Sequence, residues 1–270
     1  MTLIITAISD KNVIQVSDRR LTLNDGSLHD DLAIKALCVS CADASFCMAY
    51  TGLAVVGSHR TDEWVVDYLS SINAGELGFV KLFEAFNTQV ENTFNKLRLP
   101  KTMRGIAFAF AGFGPTGPFM AHLSNLEDEK GHRLRAVDDR FHAGFYFRNN
   151  KPMHKLDLMI HGADQAVDII KPFIPEFRKR YLEKNAHQTA IALVQLIRKA
   201  TEHPTVGHLI GRSCISSSVS LSGDFICDDH PEKPSQDEYM PHFISKNTAY
   251  KNVRIWVGEG SPSWWSGNKS

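Results

Sequence analysis

Five polar residues near the start of the chain have the side-chain types that a hydrolytic site needs. They are Thr2, Asp18, Arg20, Thr22 and Lys35. Removal of Met1 would give Thr2 a free α-amine beside its hydroxyl, and this pairing is a known form of activated nucleophile. The sequence therefore predicts a site in which the Thr2 hydroxyl attacks a carbonyl carbon and the Thr2 amine accepts the hydroxyl proton.

The charged members of this group would tune that chemistry. A free α-amine has a pKa of about 7.7–8.0, which suits a general base near neutral pH. A positive charge on Lys35 would lower this pKa by like-charge repulsion. Two simpler readings remain open. Thr2 could follow Met1 by chance, and Asp18 and Arg20 could form only a loop ion pair.

Composition excludes several classes of protein. The chain has 270 residues, with 30 Lys and Arg against 30 Asp and Glu, so its net charge of zero gives no reason to expect nucleic acid or an acidic membrane as partner. No apolar run approaches the roughly 18–20 residues that cross a bilayer. The first residues lack the basic region of a signal peptide. We therefore expect a cytoplasmic protein.

The five cysteines do not indicate a disulfide framework or a metal site. They are odd in number and lie mostly in apolar stretches, which favours reduced, buried thiols. Cys38 and Cys41 have the spacing of half a zinc site, but no second such pair exists. We expect no metal and no cofactor.

Hydrophobic periodicity predicts the order of the elements. The predicted strands are residues 3–8, 13–17, 36–40, 46–50, 105–112, 119–123, 143–147, 156–161 and 210–219. The predicted helices are residues 61–73, 79–97, 164–170 with a continuation to about residue 182, and 188–201.

Helices segregated from strands in this way are typical of an α+β fold. Each sheet needs cover on its outer face, so we expect a four-layer αββα sandwich of two antiparallel sheets between helix layers. Residues 1–220 would form this domain. Residues 221–270 would form a C-terminal extension with one or two further strands and a mobile tail that contains Trp264 and Trp265.

The chain resembles proteasome-type subunits of the N-terminal nucleophile (Ntn) hydrolase superfamily. The matching segments are Thr2-Leu3-Ile4, Val16-Ser17-Asp18-Arg19-Arg20-Leu21-Thr22, Lys35-Ala36-Leu37 and Ala49-Tyr50-Thr51-Gly52-Leu53-Ala54. The spacing from Thr2 to Asp18, Arg20 and Thr22 fits the family pattern once Met1 is removed, and Lys35 lies one residue further along. The predicted element order also fits down to about residue 220.

The resemblance implies a role for each residue. Thr2 would be the nucleophile, Lys35 would favour loss of its hydroxyl proton, and Asp18 would hold Lys35 charged and oriented. Arg20 would brace the loop. Thr22 would align an extended peptide through backbone groups. The backbone N–H of Gly52 would form the oxyanion hole, although Gly52 could also be a plain turn glycine.

Two auxiliary positions depart from the family pattern. His161-Gly162 stands where the family has Ser-Gly, and the segment from His203 to His208 lacks the family's Asp and its Ser before Gly-Gly. Because an imidazole both donates and accepts, His161 and His203 could replace the network that holds the amine. They could equally mark a subunit that keeps the fold without the activity.

The leading hypothesis is therefore an N-terminal threonine hydrolase that cleaves a peptide or amide substrate through an acyl-enzyme on Thr2. The alternatives are an inactive proteasome-like building block and a small-molecule amidase or acyltransferase on the same fold. The resemblance also implies a homo-oligomer or ring.

Overall fold

Most of the strands that the structure describes belong to two sheets, and the described residues also form five α-helices. The computed structural model describes residues 2–22, 28–147, 156–162, 164–181, 184–233, 237–239, 241–245, 248–250 and 254–256. Met1 and the predicted mobile tail with its two tryptophans lie outside these residues.

The strands are short, and the α-helices form two groups along the chain that are separated by four strands. The strands are β1 (Ile4–Ile8), β2 (Asn12–Asp18), β3 (Leu21–Thr22), β4 (Leu28–Asp30), β5 (Ala36–Ser40), β6 (Ser45–Gly52), β7 (Val55–Val56), β8 (His59–Arg60), β9 (Ile106–Gly114), β10 (Gly117–Ser124), β11 (His142–Phe147), β12 (Asp157–His161), β13 (Cys214–Ser220), β14 (Phe225–His230), β15 (Asp237–Tyr239), β16 (His242–Ser245), β17 (Thr248–Tyr250) and β18 (Arg254–Trp256). The α-helices are α1 (Thr61–Ser71), α2 (Phe79–Phe94), α3 (Asp164–Ile170), α4 (Ile174–Tyr181) and α5 (Ala186–Thr201).

The first sheet has five strands in the order β12-β1-β2-β13-β14, and each neighbouring pair is antiparallel. The second sheet has seven strands in the order β11-β10-β9-β6-β5-β16-β17. Its β5–β16 pair is parallel, so the prediction of two purely antiparallel sheets is wrong at this pair. Strand direction there depends on how the chain returns from β14, which periodicity does not encode.

The sequence of β9 explains how the second sheet uses its two faces. Phe108 and Phe110 alternate with Ala109 and Ala111, and all four side chains are buried. Because successive strand residues point to opposite faces, the phenylalanines lie on one face and the alanines on the other. The alanines contact residues of the first sheet, and their small size allows the two sheets to approach closely.

Helices cover the face of each sheet that carries the larger side chains. The phenylalanines of β9 pack with Phe83, Phe86 and Phe94 of α2. On the first sheet, Leu3 and the buried residues of β1 and β2 that share its face pack with α5. Each helix therefore presents an apolar stripe to one sheet, as the helical spacing predicted. The chain has a mixed α and β fold with several sheets and few helices.

The start of β13 differs from the prediction. Residues 210–219 were expected to form the strand, but β13 begins at Cys214. The backbone N–H of Gly211 donates to the carboxylate of Asp18 at 3.0 Å rather than to a partner strand. The strand therefore begins later because this peptide group contacts the candidate site.

The chain after residue 220 contributes strands to both sheets. β14 pairs with β13 at the edge of the first sheet, and β16 pairs with β5 in the second. The described residues of this segment contain five strands, where the sequence predicted one or two. Three of them have only three residues each, which is too short for an alternating pattern to be recognised.

Candidate active site

The hairpin of β1 and β2 brings Thr2 and Asp18 together. Thr2 lies two residues before the start of β1, and Asp18 is the last residue of β2. The pairing of Ile4 with Ser17 places both at the same end of the hairpin. The backbone N–H of Leu3 donates to Asp18 Oδ1 at 2.7 Å. This part of the predicted site is therefore set by a short turn and a local register.

The Asp18 carboxylate is fully buried and accepts hydrogen bonds from three backbone N–H groups. Besides Leu3, the N–H groups of Arg20 and Gly211 each donate to Oδ2 at 3.0 Å. Lys35 Nζ lies 3.6 Å from the same oxygen. A carboxylate only accepts hydrogen bonds, so the three N–H donors and the Lys35 ion pair together fix its orientation.

The Lys35 side chain is also fully buried and points at Thr2. Its Nζ donates to Thr2 Oγ1 and to the carbonyl oxygen of Arg20, and it forms an ion pair with Asp18. Burial lowers the pKa of Lys35, and the neighbouring Asp18 charge partly opposes that effect. The ammonium therefore lies against the predicted nucleophile, as the proposed role requires.

Arg20 joins three loops beside the site. Its guanidinium donates to both carboxylate oxygens of Asp31, at 2.6 and 2.9 Å, and to the carbonyl oxygen of Gly207 at 3.1 Å. The hydrogen bond to Asp31 raises the pKa of Arg20. The ion-pair partner of its guanidinium is Asp31, whereas Asp18 pairs with Lys35. A bidentate pair of this kind restrains the loop that follows β2.

Thr51 contacts the main chain of Thr2 twice, and the sequence reasoning missed this contact. The Thr2 N–H donates to Thr51 Oγ1 at 3.2 Å, and Thr51 Oγ1 donates to the Thr2 carbonyl oxygen at 3.0 Å. Both residues are buried. Thr51 directly precedes Gly52 in one of the segments that resemble the family, but its residue type alone indicated no role.

A cleft of about 590 Å³ opens beside Thr51. Thr22, Thr51 and Gly52 contribute to its wall, together with Glu127 and Arg133. Thr22 ends β3, where it pairs with Leu28 of β4. The cleft is large enough for a small ligand or a few residues of a peptide. Residues with predicted binding roles therefore line one concave surface.

Gly52 closes β6 in a conformation that suits glycine. Its φ is +109°, and a Cβ placed there would overlap the carbonyl oxygen of Gly105 and lie 2.8 Å from the Cα of Ile106. Both the dihedral angle and the close approach of β9 therefore require the absence of a side chain.

We expect Gly52→Ala to destabilise the protein by about 1–3 kcal/mol, because backbone strain and overlap act together. The free energy of unfolding from urea titration measures this effect. Gly57→Ala is the matched control, since Gly57 also has a positive φ, of +55°, but open space around its Cβ. Equal losses in the two variants would contradict the argument from the approach of β9.

The two predicted auxiliary histidines are bonded to other partners. His161 Nδ1 lies 3.0 Å from Glu127 Oε2, and His203 Nδ1 lies 2.8 Å from Thr205 Oγ1. His161 is buried, whereas His203 is exposed. Among the hydrogen bonds of the described residues, neither ring contacts the Thr2 nitrogen, which bonds to Thr51 instead.

His161 belongs to a buried polar cluster that no motif indicated. Its ring centroid lies 5.7 Å from that of His122, whose pKa is lowered by burial. Burial alone would raise the pKa of Glu127, but the hydrogen bond with His161 and the neighbouring basic groups lower it, and the net shift is downward. Glu127 thus remains a carboxylate at the wall of the cleft.

A second buried ion pair supports the loop between Asp18 and Arg20. Arg19 and Asp229 are each 1% exposed, and Arg19 Nη1 contacts both carboxylate oxygens at 3.0 and 3.1 Å. Arg19 Nη2 also donates to the carbonyl oxygen of Leu32. Strand β14, which carries Asp229, is therefore part of the support of the site.

Comparison with solved structures identifies the fold. The chain superposes on Anbu (ancestral β-subunit) from Yersinia bercovieri with a TM-score of 0.56 and 10% identity, covering 86% of this chain and 88% of that one. An Anbu (Gly-1) mutant from Hyphomicrobium sp. strain MC1 gives 0.55 and 8%, covering 87% and 89%. The chain has a proteasome-type fold. Eukaryotic HslV from Trypanosoma brucei gives a lower TM-score of 0.43 at 13% identity, covering 81% and 99%.

Sequence comparison adds no relative. No protein-family model matches the chain, and no curated protein matches it. The likeness to Anbu therefore concerns the fold, and any chemistry must be argued from the residues of the site.

Neither a metal-binding cluster nor a membrane-spanning helix is found among the described residues. They contain no group of three or more His, Cys, Asp or Glu arranged to hold a metal ion. Within the same residues, no helix has the length and apolar character needed to span a membrane.

Proposed function

We propose that the chain is an N-terminal threonine hydrolase of proteasome type, which cleaves peptide or amide bonds through an acyl-enzyme on Thr2. One observation carries the proposal: the buried Lys35 ammonium donates to Thr2 Oγ1 and pairs with Asp18. A positive charge at this position stabilises the developing alkoxide in a medium of low dielectric constant, where the interaction is stronger than in water.

In the proposed reaction, the Thr2 α-amine takes the proton of Oγ1 as that oxygen attacks the substrate carbonyl. The Gly52 N–H would stabilise the oxyanion, and Thr22 would align the substrate backbone. The amine then gives its proton to the leaving nitrogen, the C–N bond breaks, and an ester on Thr2 remains. Water, deprotonated by the same amine, attacks the ester and releases a carboxylic acid.

Two measurements test this proposal. Intact mass should show a chain that lacks Met1, because retention of Met1 leaves no free amine and refutes the mechanism. A β-lactone or epoxyketone probe should then label Thr2, as peptide mapping would show. Thr2→Ala should reduce labelling to background, whereas Thr2→Ser should keep it, because serine retains the hydroxyl nucleophile.

Thr6→Ala is the matched control for Thr2→Ala. Thr6 is a buried threonine of β1, four residues after Thr2, and its hydroxyl accepts from Gln15. Its loss removes a buried hydroxyl without touching the nucleophile, so labelling should persist. Labelling of Thr2→Ala at the wild-type level would exclude Thr2 as the nucleophile.

The partners of the two histidines favour one alternative. His161 and His203 are bonded to Glu127 and Thr205, so neither holds the Thr2 nitrogen as a replacement network would. An inactive, proteasome-like assembly protein would fit this observation. In that case the probe would leave Thr2 unlabelled although Met1 is absent, and light scattering would show a multimer.

The finer architectural predictions belong to the same proposal. We propose a four-layer αββα sandwich, supported by the helices that cover both sheets. We further propose an Ntn-hydrolase-like domain over residues 1–220 with an extension over 221–270, self-association into a homo-oligomer or ring, and a cytoplasmic location. Light scattering tests the assembly state, and cell fractionation tests the location.

A further inference from the structure

We propose that Thr51 is the positioning residue for the α-amine of Thr2, in place of the auxiliary network that this chain lacks. The inference rests on the proposed function, since it concerns the amine that would act as general base. The Thr51 hydroxyl would hold the Thr2 amine, which is the role that the sequence suggested for His161 and His203.

The strand that carries Thr51 directs its side chain toward Thr2. Thr51 precedes the last residue of β6 and pairs with Ala107 of β9, whose small side chain leaves room on that face. Ala49, two residues earlier on the same face, contacts Ile4 of β1. Alternation along β6 therefore points Thr51 toward the start of β1, which begins two residues after Thr2.

The two hydrogen bonds of Thr51 define which groups donate. A threonine hydroxyl has one proton, and Thr51 gives it to the Thr2 carbonyl oxygen. Its oxygen is then available only as an acceptor, and it accepts from the Thr2 nitrogen. The hydroxyl thus holds the main chain of Thr2 at two adjacent points, and this fixes the direction of the nitrogen.

This geometry suits a general base. After loss of Met1, the neutral amine would have two N–H groups and one lone pair. One N–H would donate to Thr51, which leaves the lone pair free to accept the proton of Thr2 Oγ1. On the other side, Lys35 donates to that same oxygen. The base and the charged group would therefore act on Oγ1 from separate positions.

Thr51 and Lys35 should have opposite effects on the amine. An acceptor stabilises the protonated amine and raises its pKa, whereas the positive charge of Lys35 lowers it. Removal of the Thr51 hydroxyl should therefore shift the midpoint of the pH–acylation profile to lower pH. It should also lower the maximal rate, because the amine loses its fixed orientation.

The test compares Thr51→Val, which keeps the shape, with Thr51→Ser, which keeps the hydroxyl. We expect Thr51→Val to acylate about tenfold more slowly with the β-lactone probe, the effect of one lost hydrogen bond, and with a lower pH midpoint. Thr51→Ser should restore both values. Thr189→Val is the control, because the buried Thr189 hydroxyl donates to the Asn185 carbonyl at 3.0 Å in α5. Its profile should match that of the wild type.

A second readout separates this inference from the proposed function. In protein labelled with [13C]threonine, the Thr2 Cα shift titrates with the amine whether or not the probe reacts. A wild-type protein without Met1 that stays unlabelled would refute the hydrolase, while a lower amine pKa in Thr51→Val would still support the positioning role. If neither the probe labelling nor the titration of the Thr2 amine changed in Thr51→Val, the positioning role of Thr51 would be overturned. The proposed hydrolase activity would be unaffected by that result.

Discussion

Replacing Lys35 with methionine is expected to slow the acylation of Thr2 by about 100- to 1,000-fold, the range found when one buried donor to a developing oxyanion is lost. The Lys35 ammonium is fully buried and donates to Thr2 Oγ1, so water does not screen its charge. Methionine fills a similar volume without the charge. The second-order rate constant for reaction with the β-lactone probe measures the effect.

Lys81→Met is the control for this variant, because Lys81 is an exposed lysine of α2. It loses the same charge at the protein surface and should acylate at the wild-type rate. An unchanged rate in Lys35→Met, in protein shown to be folded and to lack Met1, would exclude Lys35 from the mechanism.

The same variant should change how stability depends on pH. Burial lowers the pKa of Lys35 in the folded protein below its ordinary value of 10.5. Between these two pKa values the unfolded chain binds more protons at Lys35 than the folded protein, so its contribution to stability rises with pH. The free energy of unfolding of the wild type, relative to Lys35→Met, should therefore increase as the pH rises from the folded-state pKa of Lys35 toward 10.5.

Asp229→Ala is expected to reduce the free energy of unfolding by about 3–5 kcal/mol, because it leaves the Arg19 charge buried without its carboxylate. Both side chains are 1% exposed and joined by two contacts. The double variant Arg19→Met/Asp229→Leu should be more stable than Asp229→Ala, since it removes the buried guanidinium together with the Asp229 carboxylate. Urea unfolding of the three proteins measures the difference.

Asp139→Ala provides the matched comparison for this ion pair. Asp139 pairs with Lys101 at 2.9 Å, but the two side chains are 60% and 44% exposed. Solvent screens such a pair, so the loss should stay below about 1 kcal/mol. Similar losses in Asp139→Ala and Asp229→Ala would contradict the argument that burial makes the Arg19 pair important.

Local geometry brings Thr2, Asp18 and Lys35 of the predicted site close together. Asp18 meets the residue after Thr2 because a tight hairpin joins β1 and β2 in a fixed register. Lys35 reaches the same point from the start of β5. The family resemblance implied the pairing of Asp18 with Lys35, and their proximity fits it, because a buried lysine and a buried carboxylate each need a partner of opposite charge.

The contacts that the sequence does not reveal are long-range. Thr51 is separated from Thr2 by 49 positions, Gly211 from Asp18 by 193, and Asp229 from Arg19 by 210. Each contact depends on how distant strands are placed in the two sheets, which periodicity within a single strand does not specify. Its place in the family pattern and its imidazole suggested His161 as a partner of the amine, yet the Glu127 carboxylate, which follows β10, bonds to it.

The buried pair between Arg19 and Asp229 also bears on when the site can form during synthesis. Arg19 directly precedes Arg20, whose backbone N–H donates to Asp18 and whose carbonyl oxygen accepts from Lys35. The Asp229 carboxylate that pairs with Arg19 lies 210 positions further along the chain. A nascent chain on the ribosome therefore lacks this carboxylate until β14 has emerged, so the order of translation would delay this support of the site.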